Sequence, residues 1–222
     1  MVVQENTIKI TGTFSPDRSH RYALKRIWSD DDTRPMACVI MSNAPESDDI
    51  TRGCLTSMLI QNQLSALQYR GCICVNLFSF CCQKLDLSGD ITGLTDDTNM
   101  EQILQAVQET DITIIAIGSL TRTYKKAALY ENRLFERLRE LTDCQAKIHT
   151  IAAPDGSEGL HPLSAKLREV GTWTLVPFKL TEPPLPLPQD EKTSLNGFKG
   201  VPASGKGKRA AKNEKNVIPL AQ

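Results

Sequence analysis

Asn43, Asp48, Asn76, Phe78, His161 and Ser164 are residues whose types and places along the chain could do chemistry together. They follow short apolar runs. "CVIM" (38–41) gives way to Ser42-Asn43-Ala44-Pro45 and then to Asp48-Asp49. "CICV" (72–75) gives way to Asn76, Leu77, Phe78, Ser79 and Phe80. "ITIIAIG" (112–118) leads to Ser119. "IHTIAA" (148–153) leads to Pro154-Asp155-Gly156 and to residues 159–164, which hold His161. In an open α/β sheet, ligands bind outside the carboxyl ends of the strands. Brought together there, two amides, a carboxylate, a histidine and two phenylalanines can read a planar heterocycle. An amide presents a donor and an acceptor side by side, phenylalanine offers a stacking face, and histidine supplies a polar donor.

Taken singly, each residue has an ordinary structural account. Asn43 favours a turn, and Asn76 suits a bond to a neighbouring loop. Phe78 and Phe80 suit a core, and His161 ahead of Pro162 suits a loop. Asp48 and Asp49 suit the first turn of a helix, where acids complement the dipole. Their joint placement is what points to a site. His20 and His149 lack polar neighbours of catalytic type and are read as structural.

The elements that must position these residues are legible as patterns. The four apolar runs are short, continuous and separated by helix-length segments, as buried parallel strands are. Residues 50–70 carry Ile50, Leu55, Met58, Leu59, Leu64 and Leu67 at three- and four-residue steps. Ser47, Asp48 or Asp49 is the expected N-cap of that helix, and Gly71 its stop. Residues 96–110 and 124–143 repeat the helical pattern. A short helix with Leu163 and Leu167 is expected after His161, and "TWTLVPF" (172–178) reads as a further strand. At the start, "TIKITGTF" and "HRYALKRIW" flank Pro16-Asp17 as a hairpin. Residues 1–180 are thus expected to form a single α/β domain, three-layer α/β/α around a mainly parallel central sheet. From Thr181 the chain turns rich in Pro, Gly and Lys, and residues 181–222 are expected to be a disordered tail.

The 222 residues are 40% hydrophobic, which suits a packed core. Net charge is zero but uneven. Residues 192–222 hold seven Lys or Arg and one acid, leaving 19 basic and 25 acidic residues in 1–191. A basic arm on an acidic body reads either as a nucleic-acid contact or as a solubilising tail. No apolar run approaches the roughly 18 residues that span a bilayer. The first residues lack the basic-then-apolar order of a secretory signal. A cytoplasmic setting without a membrane partner is therefore expected. Seven cysteines, an odd number, fit reduced thiols. Cys72 and Cys74 alternate with Ile73 and Val75 as small core hydrophobes. Neither their spacing nor that of Cys81-Cys82 suits zinc, so no metal is expected. Without G-x-G-x-x-G or G-x4-G-K-[ST], no dinucleotide or P-loop cofactor is expected either.

At these residues the chain resembles the bacterial and phage family known as domain of unknown function 1643. That family's pattern is an R-Y segment leading into a strand, then L-N-P-S-x-A-D, V-N-L-F, a W-G or similar strand end, and a late H-P-L. The matching stretches here are "HRYALKRIW", "SNAPESDDIT", "VNLFSF", "AIGS" and "HPLS", within residues 20–178. Asn43, Asp48, Asn76, Phe78, His161 and Pro162 fit the pattern. Ala44 stands where the family has Pro, and Pro45 is shifted by one, which changes where the loop's φ is fixed.

The motif order is in turn similar to that of the uracil-DNA glycosylase superfamily. That resemblance implies roles. Asn43 would orient a water and Asn76 would read the base edge. His161 would hydrogen-bond the anion developing on the departing base. A phenylalanine at 78 or 80 would stack, with Ser164 also on the substrate. Asp48 or Asp49 would serve as base if the helix brings one inward. The implied reaction is N-glycosidic hydrolysis on DNA or a nucleotide, which needs preorganised polar groups in a dry pocket. Two other readings stand beside it. One is a non-catalytic module of phage or mobile-element origin that binds nucleic acid, a nucleotide or a protein. The other is a nucleotide-binding α/β domain of another type. The acidic body opposes tight binding to duplex phosphates on its own.

Overall fold

The computed structural model describes residues 1–168 and 172–180; the expected tail lies outside the described residues. The strands are β1 (Lys9–Phe14), β2 (Arg21–Ile27), β3 (Met36–Pro45), β4 (Gly71–Cys82), β5 (Ile112–Ile115), β6 (Ile148–Ala152) and β7 (Thr174–Pro177). The helices are α1 (Leu55–Ala66), α2 (Asp97–Glu109), α3 (Leu120–Thr123) and α4 (Lys125–Glu140). Among the described residues, the seven strands share one sheet in the order β1-β2-β4-β3-β5-β6-β7.

The centre of that sheet, β4-β3-β5-β6, is parallel. Its flanks are antiparallel: β2 on β4, β1 on β2, and β7 on β6. The expected mainly parallel sheet is therefore corrected to a mixed one. The N-terminal hairpin does not stand apart but completes the free edge of β4. On the other side, the described part of the β6–β7 connection holds only the 3-10 turn Ala165–Leu167. Parallel pairing needs a crossover, usually a helix, whereas an antiparallel return does not.

Alternation along the central strands fills two cores. Met36, Cys38 and Ile40 join Ile73 and Val75 under Ile103 and Val107 of α2 and Leu134 and Leu138 of α4. Ala37, Val39 and Met41 join Cys72 and Cys74 under Ile60 and Leu64 of α1. This is period-two geometry buried on both faces. Cys72 and Cys74 are core residues, with their Sγ atoms 3.8 Å apart. No helix among the described residues is long and apolar enough to cross a membrane. No cluster of three or more His, Cys, Asp or Glu among them could hold a metal ion.

Three local expectations change. Helix α2 starts as expected, with Asp96 Oδ1 accepting from Asn99 N at 2.8 Å. Helix α1 does not: its N-cap is Cys54, not Ser47, Asp48 or Asp49. Asp49 instead closes its own turn, Oδ1 accepting from Thr51 N (2.7 Å) and Arg52 N (2.9 Å). The aspartate side chain competes with the helix by bonding backbone two or three residues on. After His161 there is a single 3-10 turn, and Leu163 precedes it on the surface. Finally, β3 and β4 outlast their apolar runs. Met41 pairs with Asn76 and Asn43 with Phe78 before the register shifts between Asn43 and Ala44. Asn76 and Phe78 therefore lie within a strand, not in a loop beyond one. Polar side chains do not end a strand whose neighbour keeps supplying backbone partners.

Candidate ligand-binding site at the strand ends

Two arginines on β2 set up this edge. Arg21, Arg26 and Asp48 are all at least 96% buried. Arg26 Nη2 donates to Asp48 Oδ1 at 2.7 Å and Arg21 Nη1 to Oδ2 at 3.2 Å. Arg21 Nη1 also donates to the Asp48 carbonyl. Arg21 Nη2 donates to Asn76 Oδ1 at 3.1 Å, and Asn76 Nδ2 donates to the Asn43 carbonyl at 2.6 Å. Cys54 N reaches Asp48 Oδ1 at 3.3 Å. One connected network thus ties β2, the 46–54 segment, β4 and β3 together. Buried charges are tolerated only when paired and hydrogen-bonded in this way.

In front of the network lies a cavity of about 200 Å³, lined by Met41, Asn43, Pro45, Asp48, Cys54, Thr56, Ser57, His161 and Leu163. His161 Nδ1 accepts from Leu163 N at 3.1 Å. In the neutral ring the proton therefore sits on Nε2, which is a donor. Burial lowers the His161 pKa from its ordinary 6.5, favouring that neutral form. Gly118, just past β5, explains how this histidine comes so close. Its φ is +78°, and a Cβ there would sit 2.9 Å from His161 Cβ. Only glycine satisfies both the backbone and the approach.

The structure brings Asn43, Asp48 and His161 to one cavity. Ser164 lines a second cavity of about 360 Å³, which shares His161 and Leu163 with the first. Asn76 and Phe78 line neither, and both are 0% exposed. Asn76 occupies its amide with Arg21 and Asn43, and also supports α2 by accepting from Asn99 Nδ2 at its carbonyl (2.9 Å). Phe78 packs on Tyr130 with ring centroids 5.4 Å apart. Phe80 lies edge-on to His20, whose Nδ1 bonds Ser79 Oγ at 2.9 Å. His149 Nδ1 bonds the Lys147 carbonyl at 3.0 Å. Reading the sequence missed Arg21, Arg26, Cys54 and Ser57. The available signal was two arginines in one short strand otherwise built for burial.

A family model described as "Protein of unknown function (DUF1643)" matches residues 21–163. No curated protein and no solved structure matches the chain.

Proposed function

The chain belongs to the DUF1643 family, and we propose that its strand-end cavity receives a nucleobase whose N-glycosidic bond the protein hydrolyses. One observation carries this reading. Asn43, from the end of β3, and His161, from the loop after β6, line a single cavity with apolar walls from Met41 and Leu163. At about 200 Å³ it falls below the roughly 300–1,000 Å³ that houses drug-sized ligands. That size suits one planar heterocycle and not a dinucleotide.

In the proposed chemistry, Asn43 holds the attacking water by its side-chain amide. The C1′–N bond breaks with its electron pair passing to the base, and water adds to the sugar carbon through its oxygen. The proton that this water loses ends on the departed base anion, giving the free neutral base and the sugar hydroxyl. Neutral His161 donates from Nε2 to the departing base. A neutral donor stabilises the anion without first having to be protonated. Asp48 positions: its network holds the backbone of Asn43 in place through Arg21 and Asn76. For the fold, helices on both faces of a parallel centre fit the three-layer plan of the uracil-DNA glycosylase superfamily.

A second reading, a non-catalytic binding module, is favoured by one specific observation. Among the described residues, Asp48 is the cavity's one carboxylate, and its oxygens already accept from Arg21, Arg26 and Cys54 N. The deciding experiment incubates the protein with nucleosides, nucleotides and single- and double-stranded oligonucleotides bearing normal and deaminated bases. Free base is then measured by chromatography. Release that disappears in Asn43→Ala and His161→Ala supports hydrolysis. Binding without release supports the module. Neither binding nor release from any of them removes both readings.

A further inference from the structure

The second cavity adjoins the first across His161 and Leu163 and has a different character. Its polar lining comes from Ser119, Arg122, Ser164 and Lys166, and no carboxylate among the described residues lines it. Lys166 is tethered, its Nζ donating to Asp155 at 2.8 Å and to Ser157 Oγ. That contact holds the Asp155 carboxyl well below the usual range. Arg122 is exposed, and its charge acts on Glu131 of α4. Gly159, at φ +70°, leaves the guanidinium its seat: a Cβ there would lie 3.0 Å from Arg122 Nη2.

We propose that this second cavity binds a phosphate group, with Arg122 as its principal ligand and the Ser119 and Ser164 hydroxyls as further donors. Arginine's planar fork matches phosphate oxygens in pairs, and hydroxyls complete such sites. The acidic excess of residues 1–191 gives phosphate no general attraction, so recognition requires a local basic pocket of this kind. The inference rests on the nucleobase reading of the first cavity and deepens it. A base in the first cavity and a phosphate in the second make the substrate a nucleotide, free or within a nucleic acid, and not a free base or nucleoside.

The test is calorimetric titration with deoxynucleosides, their 5′-monophosphates and a single-stranded oligonucleotide, at two salt concentrations. It uses the full chain, Arg122→Gln and Ser119→Ala, with thermal melting of each variant as the folding control. Roughly tenfold tighter binding of the monophosphate than of the nucleoside is expected, the scale of one charge-assisted contact. Arg122→Gln should erase that preference, leave nucleoside affinity unchanged, and reduce the oligonucleotide salt slope by about one. Tighter, salt-sensitive binding of the oligonucleotide identifies nucleic acid as the source of the phosphate; equal binding identifies the free nucleotide. If nucleoside binds and the monophosphate binds no better, the phosphate site is overturned alone. Survival of the preference in Arg122→Gln overturns it as well. If only phosphate-bearing ligands bind, and Arg122→Gln abolishes this, the phosphate site stands and the nucleobase reading falls. No binding of any ligand overturns both.

Discussion

Asn76 Nδ2 donates to the main-chain carbonyl of Asn43 at 2.6 Å, so one amide supports the other from behind. Asn76 Oδ1 meanwhile accepts from Arg21 Nη2. Truncation to Ala takes this donor from a partly buried carbonyl and the acceptor from a buried guanidinium N–H. Each such group costs about 1–3 kcal/mol. Asn76→Ala should therefore lower unfolding free energy in urea by at least about 1 kcal/mol, and weaken ligand binding only through displaced Asn43. An unchanged urea midpoint would show that the bridge does not hold the site together.

Asp48 sits between two guanidiniums, at 2.7 Å from Arg26 and 3.2 Å from Arg21, and is 3% exposed. Removing its charge leaves two like charges facing each other in the interior. Breaking a buried pair in this way costs roughly 3–5 kcal/mol. Asp48→Asn should cost that order in a denaturation series, and Arg26→Met added to it should restore part of the loss. Failure of the double variant to regain stability would mean that hydrogen bonding, not charge balance, dominates at Asp48.

The central strands and both main core helices after β4 were legible because periodicity follows burial. Continuous apolar runs such as 112–115 mark strands covered on both faces, and Asp96 marks a helix start by its own side-chain bond. The site was legible only in part. Asn43 and His161 meet because strand ends in a parallel sheet face one edge. The extent of β4 was not legible, since pairing with β3 and not its own residues carries the strand through Asn76 to Cys82. The same blindness hid Arg21 and Arg26. A buried charge reads like a surface charge until the chain that neutralises it, Asp48 on a remote segment, is placed beside it.

Gly118 and Gly156 offer a controlled comparison. Both have positive φ, +78° and +82°, but only at Gly118 would a Cβ meet a neighbour, His161 Cβ at 2.9 Å. Alanine at either position incurs the left-handed backbone cost of about 1–2 kcal/mol. Gly118→Ala should exceed Gly156→Ala in destabilisation and should alone reduce binding in the first cavity, because it displaces the histidine. Equal effects on melting temperature and binding would refute the close-approach account.

His161 supplies the pH dependence. Burial depresses its pKa below 6.5 in the folded protein, whereas in the unfolded chain it titrates near its ordinary value of about 6.5. Between those two values the unfolded state binds more protons than the folded one, so stability rises with pH across that window. The contribution is therefore complete above the unfolded pKa and is lost as pH falls through the window toward the folded value. His161→Gln keeps a polar group but cannot titrate. The wild-type minus variant difference in unfolding free energy should thus decline on acidification below about pH 6.5. A ring-proton titration by NMR checks the premise directly. Its midpoint should lie below 6.5 and move further down when a nucleoside, which carries no phosphate, occupies the first cavity and excludes water. A midpoint at or above the ordinary value would mean that the imidazole is solvated, and His161 could not then serve as the neutral donor.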